Sequence, residues 1–431
     1  MRFFLILILF APLTLSAQNE TLKKKIDLLA DKLEPKVIEW RRHVHQYPEL
    51  SNREFKTARL IAAHLISLGI EVDTGVAHTG VVGILKGAKP GPVVALRADM
   101  DALPVTERVD LPFASKVKSE YNNEEVGVMH ACGHDTHVAI LMGVAELLSS
   151  MKADLKGTVK FIFQPAEEGA PDGEEGGAEL MVKEGVLDKP KVDVVFGLHI
   201  DAQSHVGQIT YRPGGLMAAV DELNITVKGK QTHGAYPWLG VDPIVTSSQI
   251  IMGLQTIISR QVALVENPAV ITIGSIHGGN RSNIIPEEVK LVGTVRTLDT
   301  AMQTFIHKKI RQTVSNIAEA AGAEVQVEII KFYPVTYNDP ALTAKMLPSL
   351  QQAAGVKNVK EIKPELGAED FSFFAQKVPG LYFVLGGAPL DKKLEDMPAH
   401  HTPDFFIDES GLKLGLRSFC YMVIDYTNAG K

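Results

Sequence analysis

Three short segments of this sequence concentrate side chains that can hold a divalent cation or move a proton. Residues 130–137 read HACGHDTH, with Cys132 and His134 two apart at the start of an apolar-faced helix expected over 133–151. Thiolate and imidazole at this spacing suit a first-row metal ion, and a helix N-terminus favours the thiolate that such an ion needs. Residues 96–104 (LRADMDALP) place Asp99 and Asp101 directly after an apolar run, and residues 163–169 (FQPAEEG) place Glu167 and Glu168 after another. In open α/β sheets, ligand and catalytic groups gather at the carboxyl ends of strands. Of two adjacent carboxylates there, one can bind a metal while the other takes a proton from water. His199 ends the run VVFGLHI and His401 lies in PAHHTPDF. Each of these features has a bland reading: a helix cap, a solvated acidic pair, a structural histidine. Their recurrence at the ends of separate apolar elements is what makes a metal site the better account.

These segments need a scaffold, and the apolar patterning supplies one. A helix is expected over residues 20–47 (Ile26, Leu29, Leu33, Val37, Trp40) and a second over 54–68, stopped by Gly69. Short apolar runs at 81–85, 93–96, 160–163 and 192–198 read as buried strands. Strands alternating with helices imply an α/β layer with a mostly parallel sheet. Near Pro213 the pattern changes. An alternating strand (Leu223, Ile225, Val227) is followed by a helix at 243–260, strands at 270–276 and 289–295, a helix at 301–321 and a strand at 325–330. The order β-α-β-β-α-β is that of a ferredoxin-like domain. One α/β domain, 18–213 with 333–431, is therefore expected to be interrupted by an inserted domain at 214–332.

Composition sets outer limits. Of 431 residues, 45% are hydrophobic and 22% charged, an ordinary globular mixture. The 44 basic and 51 acidic residues leave a formal net charge of -7, which argues against a sequence-independent nucleic-acid binder. Only two cysteines, Cys132 and Cys420, are present, so no disulfide framework exists. Residues 1–17 (MRFFLILILFAPLTLSA) have one basic residue, an apolar run too short to span a bilayer, and a small residue before polar Gln18. That is a signal-peptide pattern, so export is expected, to the periplasm or beyond, with no membrane span in the mature chain.

With these residues in view, the sequence resembles the aminoacylase, hippurate hydrolase and auxin-conjugate hydrolase group of dinuclear metallopeptidases. The matching segments include RRHVHQYPELS (41–51), LRADMDALPVTE (96–107), GVMHACGHDTHVA (127–139), FIFQPAEEG (161–169), VFGLHI (195–200), GKQTHGAYP (229–237), GGNRSNIIPEEV (278–289), GTVRTLD (293–299) and HHTPDFFIDE (400–409), in family order across nearly the whole mature chain. The resemblance implies a zinc-peptidase-like catalytic domain, an inserted dimerisation or lid domain, and a homodimer. It implies two divalent metal ions, with Cys132 bridging and His134, Glu168, His199 and His401 completing the ligands. Zinc is favoured by the mixed S, N and O donors, with manganese, cobalt and nickel compatible. It further implies Glu167 as general base, Asp99 as a supporting carboxylate that bonds a ligand histidine, His233 as an oxyanion donor, often from the partner subunit, and Asn283 and Arg296 as substrate-binding groups. The substrate would be an N-acyl amino acid, cleaved to a carboxylic acid and a free amino acid, or alternatively a short peptide. One departure is an acidic insertion after FQPAEEG that carries Asp172, Glu174 and Glu175.

Two rival classes predict different behaviour. A cysteine hydrolase built on Cys132 would survive exhaustive chelation, and it leaves the paired glutamates without a task. A non-catalytic metal-binding protein needs ligands but no base, so replacing Glu167 would leave its function intact.

Overall fold

The computed structural model describes residues 11–429. The expected leader falls largely outside the described residues, and the first helix, α1 (Ala11–Gln46), starts upstream of the predicted position 20. From there the chain runs α2 (Phe55–Ser67), β1 (Glu71–Val76), β2 (Gly80–Lys86) and β3 (Lys89–Asp99), then a polar hairpin of β4 (Lys118–Tyr121) and β5 (Glu124–Gly127) that apolar patterning does not reveal. It continues through α3 (His134–Ser150), β6 (Lys156–Gln164), α4 (Gly177–Lys183), β7 (Val194–His205) and β8 (Ile209–Tyr211). A second unit follows with β9 (Gly214–Met217), β10 (Ala219–Lys228), β11 (Thr232–His233), α5 (Pro243–Gln261), β12 (Ala269–His277), β13 (Ile284–Ile285), β14 (Glu288–Thr297), α6 (Thr300–Ala321) and β15 (Glu324–Tyr333). The return comprises β16 (Thr336–Asn338), α7 (Pro340–Ala354), β17 (Val359–Glu361), α8 (Phe371–Ala375), β18 (Gly380–Ala388) and α9 (Leu412–Asn428).

In the first unit an eight-stranded sheet has the order β1-β2-β6-β3-β7-β18-β8-β17. Its centre is parallel: β3 pairs β6 and β7, and β18 pairs β7. Helix α3 is buried along nearly its whole length, from His134 to Leu148, as expected for a helix apolar on all sides. It packs with β3, β6, β7 and α9 into one apolar core that includes Leu96, Phe161, Phe196, Leu198, Ile140 and Phe419. Burying such side chains is the main source of the unit's stability, at about 25 cal/mol per Å² of apolar surface. Parallel strands covered by helices leave their carboxyl ends as the natural place for a site.

The second unit has a four-stranded antiparallel sheet ordered β12-β14-β10-β15, with α5 and α6 packed on its apolar face. Strand β10 alternates buried and half-buried positions throughout, the two-residue period read from Leu223, Ile225 and Val227. The compact unit spans Gly214–Tyr337 and also takes in Lys363–Ser372, a segment that side-chain patterning assigns to the first unit. Main-chain bonds explain the difference: Glu365 N–H donates to Leu216 O at 2.9 Å, and Ala218 N–H to Gly367 O at 2.8 Å. Among the described residues no helix is long and apolar enough to cross a membrane.

Candidate metal centre

The first unit assembles its chemistry at the carboxyl ends of β3 and β6 and midway along β7, where His199, expected to end its strand, lies inside Val194–His205 and just past the last residue paired with β3. Strand β3 ends in Asp99, with Asp101 just beyond it, β6 leads through Pro165 and Ala166 to Glu167 and Glu168, and β7 carries His199. The start of α3 brings Cys132 and His134 to the same place. Gly133 between them adopts φ +92°, and a Cβ there would overlap Ile200 Cγ2, so only glycine fits. His401 arrives from the loop before α9. It has a left-handed backbone (φ +63°) and is tied by its N–H to Ala131 O at 2.9 Å. A non-glycine residue held in that region marks strain that the surrounding structure imposes.

Among the described residues the donor atoms form several overlapping groups, one of them His134 with Glu167 and Glu168, and two of them share Cys132. Cys132, His134 and His199 form one, and Cys132, Glu168 and His401 the other, with donor atoms in each lying within 4.8 Å of one another. Cys132 Sγ is 3.4 Å from His199 Nε2 and 3.3 Å from His401 Nε2. His401 Nε2 is 3.0 Å from Glu168 Oε1. Glu167 Oε2 lies 3.9 Å from His134 Nε2. The neighbouring His400 uses its Nε2 to accept Ala202 N–H at 3.1 Å, and its Nδ1 is 3.8 Å from the thiol.

These residues fit two cations. His134 Nε2 and Glu168 Oε1 are buried without a hydrogen-bond partner, and Glu168 Oε1 makes ion pairs with His401 and His134. Asp99, Asp101, Glu167 and Glu168 gather negative charge in one buried region. Sulfur, imidazole and carboxylate together are the donors of a first-row divalent site. Without cations the charge balance is awkward. Burial disfavours the charged form of His134, yet Asp99 and Asp101 outweigh it and lift the ring to about 10. Burial pushes the Cys132 thiol well above its ordinary value, and Glu168, Glu167 and Asp99 add to the effect. Burial and these carboxylates oppose the thiolate that the helix N-terminus favours, and a bound cation would restore it.

The supporting contacts are more specific than the sequence indicates. Asp101 accepts Glu167 N–H at 3.1 Å, Glu168 N–H at 3.0 Å and the Ser51 hydroxyl at 2.8 Å, while His134 Nδ1–H donates to its backbone carbonyl at 2.9 Å. Asp99, expected to bond a ligand histidine, lies 3.8 Å from His134 Nδ1 and instead bonds His137 and Arg97. Burial alone would raise its carboxyl, but Arg97, His134 and His137 hold it well below the usual range. Glu54, unnoticed in the sequence, accepts Ala166 N–H at 3.0 Å and the Thr79 hydroxyl at 2.6 Å. It thereby braces Ala166, whose φ is +51° immediately before the two glutamates. The RRHVHQYPELS segment contributes Arg41 and His45, which meet Asp135 Oδ2 at 2.7 and 2.9 Å and anchor the first turn of α3 to α1.

His233, Asn283 and Arg296 belong to the second unit. The exposed His233 lies on β11, paired with Ile284 of β13, and Gly234 N–H donates to Asn283 O at 2.8 Å, so these two residues are neighbours. Arg296 is half-buried on β14, opposite Val220 of β10 and Val270 of β12.

Comparisons with known proteins agree with this chemistry. Residues 95–425 match the model of peptidase family M20/M25/M40. Thermostable carboxypeptidase 1 of Saccharolobus solfataricus is 43% identical over 398 residues, covering 92% of this chain and 96% of its own. N-acetyl-L-cysteine deacetylase of Bacillus subtilis is 38% identical over 380 residues, covering 88% of this chain and 85% of its own. The crystal structure of the Bacillus subtilis YXEP protein, described as a dinuclear metal binding peptidase from the M20 family, superposes with a TM-score of 0.76 at 34% identity, covering 92% of this chain and 99% of its own. With a family model spanning most of its length and donor groups for two divalent ions, this chain belongs to peptidase family M20/M25/M40 and is a hydrolytic enzyme acting on amide bonds.

Proposed function

We propose that this protein hydrolyses N-acyl amino acids to a carboxylic acid and a free amino acid. The observation that carries the reading is the shared thiol: Cys132 belongs to both donor groups, with the Glu167 carboxylate beside them. Cys132, His134 and His199 would hold one ion, and Cys132, Glu168 and His401 the other. Bound there, two divalent ions polarise the scissile carbonyl and lower the pKa of the attacking water towards about 7. Glu167 takes that water's proton and returns it to the departing nitrogen. Its backbone is fixed for this by the bond to Asp101. The family resemblance assigns to His233 a donor to the developing oxyanion, often supplied by the partner subunit, a contribution whose loss typically costs about 10²–10³ in rate. The same resemblance assigns to Arg296 and Asn283 the binding of the substrate's free carboxylate or of the tetrahedral oxygen, a role to which a guanidinium brings charge-assisted hydrogen bonds.

The protein acts as an exported homodimer in this reading. Export is supported by the signal-peptide pattern of residues 1–17. Dimerisation through the second unit is supported by its large exposed apolar side chains, Trp238 at 73% and Met252 at 69% exposure, and by the edge position of β12. Sedimentation showing a fully active monomer would refute the dimer.

A second reading, removal of the C-terminal residue of short peptides, is favoured by the likeness to a carboxypeptidase. A panel of N-acyl amino acids and dipeptides, run with metal analysis on the same sample, tests both. Turnover of the acyl amino acids with two ions per chain supports the main reading. Turnover confined to peptides supports the second, and undiminished activity after chelation removes both.

A further inference from the structure

His137 has no task in the chemistry above, yet both its ring nitrogens are committed. The side chain is buried, 1% exposed, on the first turn of α3. Its Nε2 accepts Ile200 N–H at 2.8 Å. A ring nitrogen that accepts carries no proton, so the ring's proton sits on Nδ1, where it is donated to Asp99 Oδ1. Asp99 is held on its other oxygen by Arg97 Nη1 at 2.6 Å. The pairing of β3 with β7 ends at Arg97 and Gly197, so Ile200 has no ladder partner on β3. The His137 ring supplies the missing acceptor. On its other side Ile200 receives His199: His199 Nδ1–H donates to Ile200 O at 2.6 Å. The two imidazoles also meet edge to face, with centroids 4.8 Å apart. His199 is thereby left with Nε2 as its outward donor, 3.4 Å from Cys132 Sγ.

We infer that His137 is a positioning residue for His199. The chain Arg97–Asp99–His137 clamps Ile200 by its amide, and Ile200 in turn fixes the tautomer and ring angle of His199, so that Nε2 faces the ion shared with Cys132. Supports of this kind orient metal ligands, and their loss typically costs about 10–100-fold in metal affinity. The inference rests on His199 being a metal ligand, and the test separates the two claims.

Cobalt(II) is titrated into the metal-free protein and followed by the sulfur-to-cobalt charge-transfer band. In His137→Phe, one of two binding events should weaken about 10–100-fold while the other is unchanged. His199→Ala should weaken that same event, and the double variant should bind no more weakly than His199→Ala alone, because two residues acting in series are not additive. His137→Gln, whose side-chain carbonyl can accept from Ile200, should recover most of the loss. Unchanged affinities in His137→Phe, equal weakening of both events, or additivity with His199→Ala would each overturn the positioning role. Failure of both His137 variants to fold would overturn it as well, since the ring would then serve the core. An unaltered titration in His199→Ala would overturn the ligand assignment itself.

Discussion

Asp101 and His134 meet twice: His134 Nδ1–H donates to the Asp101 backbone carbonyl at 2.9 Å, and the same nitrogen lies 3.3 Å from the Asp101 carboxylate. That carboxylate also accepts the backbone N–H groups of Glu167 and Glu168. One buried side chain thus registers a ligand histidine against the base and a second ligand. Asp101→Ala leaves two buried amides without acceptors, each costing about 1–3 kcal/mol. We expect metal affinity to fall about 10–100-fold and turnover to fall further, because Glu167 is displaced as well. Equilibrium dialysis alongside steady-state kinetics checks both.

Glu167→Ala separates base from ligand. Glu167 is absent from the two donor groups that share Cys132. The variant should keep two ions per chain and lose about 10²–10⁴ in kcat, the usual worth of a positioned proton acceptor. Metal analysis with kinetics decides, and wild-type turnover in the variant would rule out the mechanism.

Gly133→Ala should damage the centre from its backbone. The left-handed φ of +92° costs a non-glycine residue about 1–2 kcal/mol, and the new methyl overlaps Ile200 Cγ2. Relief requires either Cys132–His134 or Ile200 to move. Weaker cobalt binding and a lower Tm are expected together. A fully loaded variant of unchanged Tm would contradict the packing described.

Glu54 predicts a pH dependence of stability. Burial, and next the charge of Asp101, raise its carboxyl from 4.5 to about 8. Between those values the folded chain keeps a proton that the unfolded chain has released. Stability therefore falls as pH rises through that window, by at most about 1.4 kcal/mol per pH unit from this group, and levels off above it. Glu54→Gln imitates the protonated form. Its advantage in Tm over the wild type, measured without metal, should be absent near pH 4 and grow towards pH 8. A difference independent of pH would remove Glu54 as the cause.

Much of this was legible in the sequence because apolar side chains carry the period of the element they belong to. Leu223, Ile225 and Val227 alternate on β10 because one face meets α5 and α6, and the β-α-β-β-α-β order follows from such patterns. The donor carboxylates were legible too, since Glu167 and Glu168 directly after a buried strand have little structural reason to be there. Pairings among polar groups left no such trace. Asp99 and Asp101 look equivalent as an alternating pair, and only the packing of α3 gives one to His137 and the other to His134. Glu54 reaches Ala166 across 112 positions, a contact with no periodicity to announce it. Residues 363–372 join the second unit through main-chain bonds, which side-chain character does not encode.

The sharing of Cys132 between the two donor groups has a thermodynamic consequence for how the site fills. Its buried thiol resists ionisation while three carboxylates face it. The first cation to arrive must drive off that proton, and the second finds the sulfur already anionic. The thiol proton should therefore leave with the first binding event and not the second, so that acidity weakens the first event more than the second. A chain of this design fills in two steps that answer differently to pH.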